Sequence, residues 1–389
     1  MPWREVSIVD ERLEFVRLAS REDVNRRELC RRFGISTQTG YKWLTRHEAG
    51  DKLADRSRRP HSSPSRSTAA MEALVLEVRD AHPAWGARKI AHCLQRNGHE
   101  VPAASTVHAI LKRRGRIVPP PVDQSKGPYR RFERPAPNLL WQMDFKGHVP
   151  MSEGGRCHPL TVIDDHSRYA VCLKACANQQ GTTVQNALTA SFRRYGLPDA
   201  ILADNGSPWG DGPYGGWTWL SVWLLKLGIA VLHSRPYHPQ THGKNERFNR
   251  TLKDEVFALK RLRNLAEIQS TFDAWRDVYN LQRPHEGLGH DVPASRYRIS
   301  PRPMPDRLPS VQYGEREIVR TVSTTKPYIS FKGRLWKMPQ AFCGERVALR
   351  PLSSDGRYQV CFGAHKITEI DLAKCVSYVS EQVSTISPG

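Results

Sequence analysis

The sequence predicts a multidomain chain: tandem all-α helix-turn-helix domains, an α/β core built on a mixed sheet, and a small C-terminal β-barrel. Three observations predict it. Apolar residues recur at helical spacing through the first 118 positions, interrupted by a stretch rich in Arg, Ser and Pro. From Asn138 strand-like and helix-like runs alternate, with three strands before the first helix, which is the order of an antiparallel meander extended by parallel strands through helical crossovers. After Pro301 only short alternating runs remain, separated by Gly-containing turns. The implied segments are a first helix-turn-helix domain (1–50), a basic linker (51–68), a second helix-turn-helix domain (69–118), a Pro-rich linker (119–137), the α/β domain (138–300), the barrel (301–375) and a tail (376–389).

In the first domain the spacing predicts helices over Val9 to Ala19, over Arg26 to Phe33, and from just after Ser36 through Leu44. Leu29 and Phe33 share a face, Gly34 suits a left-handed turn, Ile35 plugs the core, and Ser36 can cap the next helix by accepting a backbone N–H. That last helix would expose Thr37, Gln38, Tyr41, Lys42 and Arg46, a set able to reach phosphates and base edges in a major groove. The linker carries Arg56, Arg58 and Arg59, suited to tracking a DNA backbone. In the second domain helices near Ala69 to Asp80, Gly86 to Asn97 and Ala104 to Arg113 would pack Leu74, Val78, Ile90, Leu94, Val107, Ile110 and Leu111. A basic cluster, Lys112, Arg113, Arg114 and Arg116, closes it.

The α/β segment reads as strands Leu139 to Val149, His158 to Asp164 and Arg168 to Lys174, then a helix Gly181 to Tyr195. A strand Ala200 to Ala203, a helix Trp217 to Leu227, a strand Ile229 to His233 and a long helix from about Gln240 to Leu259 follow. In the last segment Tyr328 to Phe331, Arg346 to Leu349 and Tyr358 to Phe362 are strands joined by turns such as Lys332-Gly333 and Asp355-Gly356.

The 389 residues carry 59 Lys and Arg against 39 Asp and Glu, a formal net charge of +20. The excess is greatest N-terminally, where residues 1–137 hold 27 basic and 16 acidic side chains. Such charge beside ordered helical modules points to a polyanionic partner, and no basic segment has the opposing apolar face of a membrane-surface helix. The longest apolar run, Trp217 to Leu232, is broken by Lys226 and Gly228 and falls short of a membrane span. Without an N-terminal apolar core segment the expected location is cytoplasmic, at a bacterial-type nucleoid, with no membrane partner. The eight cysteines form no C-x-x-C pair and predict no zinc site.

Three carboxylates stand out. Asp144 sits mid-strand in Trp141-Gln142-Met143-Asp144-Phe145, on the face opposite the apolar residues, where a carboxylate is costly without a partner. Asp204 ends an apolar strand and precedes Asn205-Gly206, at the carboxyl end where α/β folds place ligands. Glu246 shares a helix face with Asn249, Arg250 and Lys253, away from a buried side of Phe248, Leu252 and Val256. Together the three would offer hard oxygen ligands to two Mg²⁺ ions, or Mn²⁺ in their place, and through them chemistry on a phosphodiester. Asp164-Asp165 is a rival acidic pair that strand position leaves open.

At these residues the chain resembles the DDE-type transposases and integrases, which have a ribonuclease-H-like catalytic core. It looks most like insertion-sequence transposases of the IS481 group, related to the IS3 group. The stretches that carry the resemblance are Glu28 to Ser36 with Gly40 to Leu44, Asp55 to His61, Trp141 to Phe145, Asp164 to Tyr169, Asp204-Asn205-Gly206, and His238 to Leu252. The resemblance implies that Asp144, Asp204 and Glu246 are the catalytic, metal-binding triad and that Asp164 and Asp165 are structural. It implies Lys244, Arg247 and Arg250 as DNA contacts. It further implies recognition of the terminal inverted repeats of double-stranded DNA through residues 1–118, metal-dependent strand cleavage and transfer into target DNA, and at least a homodimer on DNA. Two departures are visible. Forty-one residues separate Asp204 from Glu246, more than in retroviral integrases, the surplus fitting the loop Pro208 to Gly216. The zinc module of those integrases has no counterpart. A DNA-binding regulator without catalysis and a nuclease acting on RNA–DNA hybrids are the competing readings: the first predicts binding indifferent to loss of the triad, the second hydrolysis without joining.

Overall fold

A computed structural model describes residues 7–57, 66–117, 133–210, 216–233, 243–373 and 376–379. The chain forms two compact units, Met1–Arg66 and Ser67–Gly389.

In the first unit α1 (Ile8–Ala19), α2 (Arg26–Arg32) and α3 (Thr37–Glu48) enclose Phe15, Val16, Leu29, Cys30, Trp43 and Leu44. Each helix begins at a side-chain cap: Ser7, Asn25 and Ser36 accept from the backbone N–H groups of Asp10, Glu28 and Thr39. Gly34 adopts φ +64° between α2 and α3, the left-handed turn read from the sequence. Gly40 lets α3 close on its neighbours, because a Cβ there would stand 2.5 Å from Cys30 Sγ and 2.9 Å from Phe15 Cζ.

The second unit opens with α4 (Ala69–Ala81), α5 (Ala87–Arg96) and α6 (Ala104–Arg113), packed around Val75, Trp85, Ile90, Leu94, Val107, Ile110 and Leu111. This module is docked on the α/β part. Val278 joins its core, Arg88 pairs with Glu286 at 3.2 Å, Arg96 donates to the Leu281 carbonyl, and His92 stacks on His290 at 4.2 Å.

The α/β part runs β1 (Trp141–Phe145), β2 (Val149–Pro150), β3 (Arg156–Asp164), β4 (Ala170–Cys176), α7 (Gly181–Tyr195), β5 (Ala200–Ala203), α8 (Trp219–Lys226), β6 (Ala230–His233) and α9 (Gly243–Leu252). A π-helical turn over Lys253–Phe257, then α10 (Leu265–Leu281) and the short α11 (Pro293–Arg296), complete it. The sheet is mixed: β3 pairs antiparallel with β4 and β1, and β5 pairs parallel with β1 and β6. Its two faces are covered differently. Trp141, Met143, Leu160, Val162 and Ile201 meet α7 and α8, while Ile163 and Leu173 lie in a second core with Phe248 and Leu252 of α9 and Phe272 of α10.

Two elements differ from the sequence reading. The strand expected over Leu139 to Val149 is split, because Gly147 turns at φ +90° between β1 and β2. The long helix ends its α-helical part at Leu252, and the Ala258 amide closes a wider turn on the Lys253 carbonyl at 2.8 Å. That turn carries Glu255, which accepts from Trp275 Nε1 at 3.0 Å and pairs with the buried Arg283 at 2.8 Å.

The C-terminal part contains β7 (Ile318–Thr321), β8 (Tyr328–Phe331), β9 (Arg334–Lys337), β10 (Arg346–Pro351), β11 (Arg357–Phe362), β12 (His365–Asp371) and β13 (Val376–Val379). An antiparallel sheet in the order β13-β12-β11-β10-β7 and the β8-β9 hairpin wrap one core. That core takes in Trp217, Val222 and Leu225, whereas Leu220, Trp223 and Leu224 of α8 face the sheet. A helix buried on both sides reads as apolar all round, which explains the longest apolar run of the sequence. Among the described residues no helix is long and apolar enough to cross a membrane.

Candidate active site

Strand alternation places Trp141 and Met143 in the core beneath α7, and so turns Gln142 and Asp144 to the opposite face, where α9 lies. Asp204 is the first residue after β5, neighbour of β1, and its Oδ1 accepts from the Gly206 amide at 3.1 Å. The Asp204 carbonyl bonds the His233 ring, which closes the end of β6 against it. Glu246 lies exposed in the first turn of α9, whose buried side is Asn245, Phe248 and Leu252.

These elements bring the three acids into one electrostatic neighbourhood. The half-buried Asp144 carboxyl is pushed up to about 6, first by burial, then by the Asp204 charge, with a smaller push from Glu246. Hydrogen bonds from the Phe145 backbone and from Asn249 oppose the shift, the Asn249 Nδ2 lying 2.9 Å from Asp144 Oδ2. The donor set is three carboxylates without sulfur or imidazole, which suits a hard divalent cation, and negative charge that raises its own pKa is what such a cation would relieve. The cage is not closed as the side chains stand: among the described residues no group of three His, Cys, Asp or Glu side chains is at ligating separation. Asp204 and Glu246 are exposed, so rotation of their side chains is open to them.

The rival pair is buried and engaged. Asp164 accepts from the Asn138 amide at 2.7 Å and from the Ser167 amide and hydroxyl at 2.8 and 2.6 Å, all close to its own turn. Asp165 is fully buried and accepts from the Arg134 amide, Gln142 Nε2 and Lys244 Nζ at 2.8, 2.7 and 2.5 Å.

Of the expected DNA contacts, Thr37, Gln38, Tyr41 and Lys42 are exposed along α3, Lys112 lies exposed near the end of α6, and Arg247 and Arg250 are exposed on α9. Others have partners within the protein. Lys244 turns inward to Asp165, and burial pushes its ammonium down to about 8 against the pull of that carboxylate. Arg113 and Arg114 both clasp the carboxylate of Glu72, which is 2% exposed, because that buried charge requires partners. Arg46 is half-buried with its guanidinium over the Trp43 ring, 4.8 Å from the centroid. Arg56 pairs with Asp51, and Arg58 and Arg59 lie outside the described residues. The sequence reading missed Asn249 as a partner of Asp144, although its place three residues after Glu246 on one face was visible, and it missed the Asp165 network, whose members are remote in sequence.

Comparison with known proteins assigns these parts. Residues 134–239 and 227–293 match integrase core domain families, residues 39–111 a homeodomain-like domain and residues 11–61 a helix-turn-helix domain. Fold and site together thus define an integrase-core protein preceded by helix-turn-helix elements. Residues 317–376 match the C-terminal domain of IS481 family transposases. A protein of insertion element IS407 from Burkholderia multivorans is 30% identical over 159 residues, which is 41% of this chain and 55% of that one. A protein of insertion element IS476 from Xanthomonas euvesicatoria is 27% identical over 236 residues, 59% of this chain and 65% of that one. The chain therefore spans between about half and two thirds of the length of these relatives. A chain of the simian T-cell lymphotropic virus intasome is 17% identical with a TM-score of 0.37, covering 75% of this chain and 96% of that one.

Proposed function

We propose that the protein is a DDE transposase that binds the terminal inverted repeats of its insertion sequence, cleaves DNA strands and joins the freed 3′-hydroxyl to target DNA. The observation that carries this reading is the placement of Asp144 on β1, Asp204 directly after the neighbouring β5 and Glu246 in the first turn of α9, close enough that Asp204 and Glu246 add to burial in raising the Asp144 carboxyl. Asp144, Asp204 and Glu246 are the ligands, and two Mg²⁺ ions, or Mn²⁺ as substitute, would when bound activate the attacking oxygen and stabilise the leaving one. Asn249 holds one Asp144 oxygen by donating to it. Arg247 and Arg250, exposed one and four residues beyond Glu246, are suited to neutralise phosphates on either side of the scissile bond. The exposed face of α3 reads the repeat, and the protein works in the cytoplasm, at the nucleoid. Two ends must be held together during joining, so the working form is a homodimer or higher homo-oligomer on DNA.

The test is cleavage and joining on DNA that carries the gene's own flanking sequence, with Mg²⁺ or Mn²⁺, comparing wild type and Asp204→Asn. Nicks at a defined terminus and joined products, lost in the variant while DNA binding persists, are expected. Tight specific binding without metal-dependent products would favour a regulator instead.

A further inference from the structure

Asp164 and Asp165 are adjacent and both buried, yet they are employed in opposite ways. Asp164 binds groups of its own turn and the nearby Asn138 amide. Asp165 reaches outward: its Oδ1 receives Gln142 Nε2 at 2.7 Å and Lys244 Nζ at 2.5 Å, and its backbone carbonyl takes a second contact from Lys244 at 3.2 Å. Gln142 stands two residues before Asp144 on the same face of β1, and Lys244 stands two residues before Glu246 in the first turn of α9. One carboxylate oxygen therefore links the strand that bears one triad acid to the helix that bears another.

The link belongs to a row of pins under α9. Asn245 accepts from Thr161 Oγ1 at 3.1 Å, that hydroxyl also lies 3.0 Å from the Asp144 carbonyl, and Asn249 donates to Asp144 itself. The Asp165–Lys244 pair is the outermost pin and the only ionic one of the three. Through Lys244 the pair stands in the first turn of α9, one residue before the Asn245 pin.

We propose that Asp165 is a positioning residue for the metal site: through Gln142 and Lys244 it sets the separation of Asp144 and Glu246. This rests on the triad being the metal ligands. Groups that orient ligands without touching the metal change affinity about 10- to 100-fold when removed. A carboxylate that served stability alone would change melting and leave metal affinity untouched once the buried charges are removed together.

The experiment is a Mn²⁺ titration of the full-length protein without DNA, followed by electron paramagnetic resonance, with melting recorded for each variant. Wild type is expected to bind Mn²⁺ and Asp144→Asn to abolish that binding. The double variant Asp165→Asn with Lys244→Met, which leaves no unpaired buried charge, is expected to melt near wild type and to bind Mn²⁺ about tenfold more weakly or worse. Lys244→Arg, which keeps a cation facing Asp165, is expected to retain most of the affinity. If the double variant does not fold, Gln142→Met removes only the strand-side arm and is expected to weaken Mn²⁺ binding severalfold. Wild-type affinity in the double variant or, where that does not fold, in Gln142→Met overturns the positioning role while leaving the triad reading intact. Absence of binding in wild type, or binding unaffected by Asp144→Asn, overturns the triad reading and the positioning role with it.

Discussion

The molecule holds two three-helix modules of similar size, and they use their charged residues differently. In the first, Thr37, Gln38, Tyr41 and Lys42 line an exposed face of α3. In the second, Arg113 and Arg114 are bound to the buried Glu72, Arg116 to Asp80 at 3.0 Å, and Arg88 to Glu286 of the core. The first module leaves a polar face of α3 exposed, while arginines of the second hold it together and dock it on the core.

The comparison can be broken or sharpened by experiment. The largest effect is expected from Glu72→Ala, which leaves two guanidinium groups without their shared buried partner. Loss of stability of about 2–3 kcal/mol is expected in denaturant melts of the second unit, below the cost of a fully buried pair because both arginines reach solvent. A loss under about 0.5 kcal/mol would mean that Glu72 does not organise the module. Next comes DNA affinity. Gln38→Ala or Lys42→Ala should weaken binding to the terminal repeats by about tenfold with melting unchanged. Arg114→Ala should weaken binding by less than about twofold while lowering the melting temperature. Equal losses of affinity would show that both modules read DNA alike.

The smallest effect concerns Lys89, on the docked side of the second module. Burial, and then the charge of Arg283, hold its ammonium down at about 8. The unfolded chain keeps that proton up to about pH 10.4, so between about pH 8 and 10 the unfolded state binds more protons and stability from this group rises with pH. Lys89→Met should raise the melting temperature at pH 7 by a few degrees, about what 1 kcal/mol gives a domain of this size, and flatten the profile between pH 8 and 10. An unchanged profile would mean that Lys89 is solvated and the module only loosely docked.

Much of this organisation was legible in the sequence where the signal is local. α6, α7 and β5 begin and end close to where spacing and turn residues put them, with Asp144 on the expected strand, Asp204 directly after β5 and Glu246 on the expected helix. Residues 265–281 were not read as a helix, yet Ile268, Phe272, Trp275 and Tyr279 carry helical spacing and Asn264 supplies a cap accepting from Glu267. That signal was present and unused. Others had no local trace. Lys244 meets Asp165 across 79 positions of chain, and Arg114 meets Glu72 across 42, so nothing near either residue announces its partner. A basic residue beside a functional motif reads as a ligand contact until the fold supplies an acid.

The helix α8 gives one face to the mixed sheet and another to the C-terminal strands, and Lys226 at its end pairs with Glu345 of the barrel. Two hydrophobic cores that share a wall cannot melt one after the other without stripping that wall. Heat or denaturant should therefore meet the mixed sheet and the C-terminal strands as a single cooperative body, and a cut between them should leave both halves with an exposed apolar stripe.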